Sequence, residues 1–424
     1  MSVHTILNNQ PGTTTEPVKT QQPVFTAAPH RMMFLGGVLQ LVFVLVFWCV
    51  ELAGRYTSWW SPLETTIPTT SAHLFLMVYG LFPFFFFGFL MTTYPRWMSG
   101  GLVPKQSYVL SFSLLITGVA LFYLGLFADK LFSIVGLIFY LSGFAVALKA
   151  LLHVYFAASG ENKTYEKALN IALSAGFMGV LVFLIWLISE SHWLLVASRD
   201  IGLWLFLVPV VFLVSHRMIP FFSSCVLKDY VVVQGRWAVL LLGSCVTGHV
   251  LLEWLEQLRW LWLFDLPMMF MGFYFTIRWG FVRSFQVGLL AVLHLAFLWF
   301  GLAMALYTTQ SLVLFFTDTV VLGRAPLHAL GIGYITSMVI AMASRVSLGH
   351  SGRPLTADVL TWAVFTGVSI AALLRIVAEI PVLETLSDTS ASLIAAIVWL
   401  VVIVLWVIRY GPMYVTPRAD GKPG

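Results

Sequence analysis

The chain has 424 residues, 60% of them hydrophobic and 10% charged, with a mean hydropathy of +0.92. That balance excludes a soluble globular enzyme and indicates a polytopic membrane protein. The net charge of +5 reads as loop lysines and arginines that set orientation, so no nucleic acid partner is expected.

Residues 1–31 are polar and rich in Thr, Pro, Gln and Asn, and are expected to be a disordered tail rather than a signal peptide. Residues 32–410 are expected to form one transmembrane domain, and 411–424, ending PRADGKPG, a second tail. The apolar runs are about 20 residues long, which suits an all-α bundle and not the short alternating strands of a barrel. Twelve helices are expected, at 33–53, 72–94, 107–127, 132–156, 168–189, 200–222, 237–255, 258–278, 286–306, 325–344, 359–379 and 391–409. The run SLVLFF within 307–324 is too short to span, so this stretch is expected to be a loop or an interfacial piece.

The loops on the N-terminal side carry a roughly threefold excess of Lys and Arg, which predicts that both termini lie in the cytoplasm. Trp59, Trp60, Trp97, Trp260 and Trp262 fall where interfacial aromatics are expected. The three cysteines, Cys49, Cys225 and Cys245, form no CxxC pair, so neither a common thiolate zinc site nor a c-type haem attachment is indicated.

The histidines are the informative residues. His4 and His30 fall in the tail and His192 in a loop. His73 begins the second helix and His328 lies about one turn into the tenth, both from the face opposite the N-terminus. His294 is placed near the middle of the ninth helix and His249 in the outer half of the seventh. On the N-terminal side lie His153, His216 and His350. His328 and Arg345 are about 25 Å apart along a helix, so His328 and His350 cannot share one metal. An outer cluster of His73, His294 and His328, with His249 beside it, is open to a haem or copper role, or to that of satisfied polar residues. A separate inner cluster can gather His350, Arg345, Arg353 and Arg217. There the arginines either anchor the cytoplasmic face or capture an anion such as a haem propionate.

At these residues the chain resembles the NnrS family of bacterial inner-membrane haem- and copper-containing proteins. The likeness rests on HALGIGYITSMVIAMASRVSLGHSGRPL at 328–355, RWG at 278–280, LHLAFLWFGLAMAL at 293–306, RMIPFF at 217–222 and GFLMTTYPRWMSGG at 88–101. It implies twelve helices, bound haem b and copper, and a part in the response to nitric oxide, often alongside denitrification. Carried over by position, it assigns His73, His294, His328 and His350, with Arg217, Arg345 and Arg353, to cofactor binding, the first three as metal ligands. The family commonly reads HAHEM at the start of the second helix. Here Phe75 and Leu76 stand in place of its second histidine and its glutamate, which puts copper in doubt.

The expected function is therefore that of a haem-containing membrane protein that meets nitric oxide or a related small ligand. Two rivals stand beside it. A secondary transporter of a small anion or metabolite suits twelve helices with Gly and Pro interruptions. A nitric oxide reductase or terminal-oxidase core suits the histidines, but the chain has no HH pair.

Overall fold

The structure, a computed structural model, describes residues 24–160, 162–380 and 388–421. Twelve of its helices are long and apolar enough to cross a membrane: α1 (Pro29–Tyr56), α2 (Thr69–Trp97), α3 (Lys105–Phe127), α4 (Lys130–Ala157), α5 (Thr164–Ser189), α6 (His192–Val226), α7 (Arg236–Trp254), α8 (Leu258–Arg278), α9 (Gly288–Thr317), α10 (Ala325–His350), α11 (Val359–Val377) and α12 (Ala391–Tyr414). No strand occurs among the described residues. Short connections make successive helices antiparallel. Odd-numbered helices therefore start at one face, here called near, and even-numbered helices start at the far face.

Small residues let these helices approach closely, as expected where lipid supplies no hydrophobic force between them. A Cβ on Gly118 of α3 would sit 2.7 Å from the Gly136 carbonyl of α4, and one on Gly136 would sit 2.7 Å from the Gly118 carbonyl. The two backbones touch there with nothing between them. Two helices are also locally widened into π turns, over Ile201–Leu207 in α6 and Ala329–Thr336 in α10. Thr336 Oγ1 donates to the Gly331 carbonyl at 2.8 Å, five residues back, and so follows the widened register.

The stretch 307–324 differs from its expectation. It is no loop over most of its length, because α9 continues as one helix to Thr317. Nothing in the sequence between Leu302 and Leu322 breaks a helix, and no Gly or Pro intervenes. Ser311 and Thr317 satisfy their hydroxyls on carbonyls of the preceding turn. The helix is thus about 45 Å long, and His294 lies about 9 Å from its near-face start rather than near its middle.

Both expected tails are shorter than the sequence suggests. A turn over Val24–Thr26 precedes α1, which starts at Pro29, so His30 and Arg31 are buried inside the bundle. After α12 the chain folds back, and the Ala419 amide donates to the Ser351 carbonyl at 2.8 Å. Arg31 Nη1 donates to the Met413 and Thr416 carbonyls at 3.4 and 2.8 Å, joining the two ends of the domain. The rest of the expected tails, residues 1–23 with His4 and Lys19, and 422–424 with Lys422, lies outside the described residues.

Gly136→Leu should separate α3 from α4 and cost at least about 3 kcal/mol, since the added atoms meet backbone that cannot yield. The check is the yield of monodisperse protein in detergent and its thermal midpoint, both of which should fall.

Candidate functional site

Two imidazole pairs lie at opposite ends of the bundle. At the far face, His73 and His328 stand in the first turns of α2 and α10 and are electrostatic neighbours. The indole of Trp48, from α1, stacks on the His73 ring at 3.8 Å and 17°. His328 Nδ1 lies 2.9 Å from the Arg324 carbonyl. A carbonyl only accepts, so Nδ1 carries the proton and Nε2 is left with its lone pair. His73 Nδ1 is buried and has no hydrogen-bond partner. Around the pair, Arg55 is held by Glu51 at 2.6 Å, and Arg375 by Glu379. Glu51 also accepts from Thr69 Oγ1 at 2.8 Å and from the Leu63 amide at 2.9 Å, which ties the α1–α2 connection to the turn that presents His73.

At the near face, His350 at the end of α10 meets His30 at the start of α1, with ring centroids 4.4 Å apart. His30 is 4% exposed and has Thr92 Oγ1 at 3.4 Å. The charged groups that act on both rings are Arg31, Arg96 and Arg418, all cations. Arg353 follows in the turn after α10, with Nη1 buried and unpartnered. Arg345 is 7% exposed and has no carboxylate among the described residues. Its guanidinium lies over the Phe222 ring at 4.0 Å.

The other expected site residues fall elsewhere. Arg217 does not join His350, because Glu166 pairs with it and it lies over the Trp97 ring at 4.4 Å. His294 does not join His73 and His328. It sits on the near side, with Nε2 at 3.3 Å from Ser223 Oγ. The long α9 explains that misplacement. Among the described residues no group of three His, Cys, Asp or Glu side chains is arranged to hold a metal ion. Between the two faces α1, α2, α6 and α10 enclose an apolar pocket lined by Phe34, Phe86, Val211, Val214, Met338 and Val339.

Sequence reasoning missed His30. The signal was present: Pro29 is a favoured first residue of a helix, and it directly precedes the His30–Arg31 pair.

The chain matches the NnrS protein family over residues 24–418. It belongs to that family. No curated protein matches it. Membership supports the expected part in the response to nitric oxide. As an NnrS protein the chain departs from the copper expectation at one place. Phe75 is fully buried, with the rings of Phe122 and Phe183 at 4.4 and 5.1 Å, and Leu76 is equally buried. Neither side chain donates to a metal, so the residues here do not fit a copper site in the second helix. Haem asks less of the protein. One or two imidazoles and cations for its carboxylates suffice, and the far-face pair supplies both kinds of group.

Glu166→Gln should leave the Arg217 charge without its partner and cost about 2–3 kcal/mol, less than a fully buried pair because Arg217 is partly exposed. Thermal unfolding in detergent measures the loss. The double change Glu166→Leu with Arg217→Met should recover most of it.

Proposed function

We propose that this chain is a haem-binding NnrS protein of the bacterial cytoplasmic membrane, acting in the nitric oxide response, with the near face in the cytoplasm. The observation that carries the reading is that His73 and His328 stand at the same face within electrostatic reach of each other. They come from helices two and ten of a family member, and each has a ring nitrogen without a protein partner. Haem held by imidazole would supply an iron that binds diatomic ligands such as nitric oxide at an open or displaceable position.

The chain's own residues would serve that group as follows. His73 and His328 supply the imidazoles. The Arg324 carbonyl fixes the His328 tautomer, as a partner behind a ligating imidazole does. Trp48 fixes the plane of His73 and shields it from water. Arg55, Arg324 and Arg375 supply cations at that face for the haem carboxylates. Arg345 and Arg353 lie about 25 Å or more from His328 along α10 and serve a separate near-face place for an anion, together with His30 and His350. The apolar pocket between the faces suits an uncharged diatomic gas. His294 and Arg217 take no part in holding the far-face group.

Protein purified from haem-sufficient cells should show haem absorption that shifts when nitric oxide is added to the reduced form. His73→Ala and His328→Ala should each abolish or displace the band at unchanged yield, and His294→Ala should leave it in place. Haem-free protein from such cells overturns the reading.

A further inference from the structure

A third polar group lies at the far end of the bundle, apart from the histidine pairs. It joins α6, α7 and α8 and is built from Arg199, Asp200, His249, Glu253 and Asp265. His249 stands at its centre. Its Nδ1 is 2.6 Å from Asp265 Oδ1, and its Nε2 faces Glu253 Oε1 at 3.6 Å. Each nitrogen of one imidazole thus looks at a different carboxyl group. Glu253 Oε2 is in turn 3.5 Å from Arg199 Nη2, and Arg199 Nε is 2.6 Å from Asp200 Oδ1.

Exposure falls steadily along this row. The side chain of Arg199 is 44% exposed and that of Glu253 17%, while His249 and Asp265 are wholly buried. The row therefore leads from the far surface into the bundle. Two buried atoms in it have no hydrogen-bond partner, His249 Nε2 and Asp265 Oδ2. The indole of Trp204, from the π turn of α6, covers the His249 ring at 3.8 Å. Trp254 Nε1 donates to Asp200 Oδ2 at 3.1 Å and holds that carboxyl in place.

The charges do not balance. Three carboxyl groups face one guanidinium and one imidazole, so even with His249 charged one negative charge is left over. In these surroundings an unpaired charge is relieved by taking up a proton. The Asp200 and Glu253 carboxyls also lie close enough to act on each other, which adds to that excess of negative charge. The remaining titratable groups around the row are Tyr307 and Cys245, which face its buried part, and Tyr79, which faces Asp200.

We propose that Glu253, His249 and Asp265 form a proton relay that carries protons from the far surface to a buried acceptor, Asp265. The step balances as follows. Glu253, which is 17% exposed, takes up a proton from the far surface, swings toward His249 and closes the 3.6 Å gap to hydrogen-bond length. Its O–H bond breaks as an N–H bond forms at Nε2. The Nδ1–H bond then breaks, and that proton passes to Asp265 Oδ1. Glu253 ends as a carboxylate, Asp265 as a carboxylic acid, and His249 is neutral with its proton on Nε2. Glu253 is the moving part, since it lies at nearly equal distances from Arg199 on the outside and His249 on the inside. The relay supplies a class of reaction that consumes protons within the membrane, and it does not depend on haem at the other sites.

Infrared difference spectra of the full-length protein in detergent, after a jump in pH and after transfer to heavy water, test this. The wild type should show a protonated carboxyl band that responds to both. Asp265→Asn should remove that band. His249→Gln and Glu253→Gln should keep it but slow its exchange by about a hundredfold, the scale of a lost general acid–base group. His294→Gln, on the near side and outside the row, should leave its exchange rate unchanged. A purely structural network would instead lose thermal stability in these variants with exchange unaltered, which overturns the proposal. Absence of an exchangeable carboxyl band from the wild type overturns it whether or not the variants fold.

Discussion

Polar groups inside a bilayer have no water to turn to, so each must find its partner within the protein. That constraint arranges this bundle. Its ionisable side chains gather toward the two ends, and the middle is left to Phe, Val and Met around a dry pocket. Where a charge is buried it is bound to another, as with Glu51 and Arg55 or Glu166 and Arg217. The groups that escape this pairing are then the informative ones. Among them are the unpartnered nitrogens of His73, His249 and Arg353, and Arg345 resting on a ring. An unmet polar atom in such surroundings is costly, and function is the common reason for keeping it.

The two histidine pairs use the same helix in opposite ways. α10 offers His328 at its far end and His350 at its near end, with a π turn and some 33 Å between them. α1 does likewise, with Trp48 against one pair and His30 in the other. The far-face pair is flanked by arginines that already have carboxylates. The near-face pair is flanked by cations, of which Arg418 is paired with Asp420. The second arrangement is suited to receiving an anion.

Most of the architecture was legible in the chain. Hydropathy and length alone place twelve helices, because a membrane span leaves little freedom in either. His73 and His328 were legible for the same reason, since both stand at the start of a span and the start fixes depth. His294 was misjudged because depth was read from a helix believed to end near residue 306, whereas α9 runs on to Thr317. His30 was set aside because a polar tail precedes it, although the helix begins one residue earlier. The network around His249 was illegible for a different reason. Its carboxylates come from three helices, and only the packing of those helices shows that they meet. The departure at Phe75 and Leu76 is legible in the chain itself, and both side chains are packed as plain apolar core.

The link between Arg31 and the carbonyls of Met413 and Thr416 has a bearing on biogenesis. The first helix enters the membrane early, yet its anchor is made of residues that lie 382 and 385 positions further along the chain. Until they arrive, the cationic pocket containing His30 lacks Arg418 and the segment that packs beside it. Nascent chains that have not yet reached this segment therefore carry an unfinished near-face pocket, and an anionic ligand that binds there can be taken up only once the segment has been made.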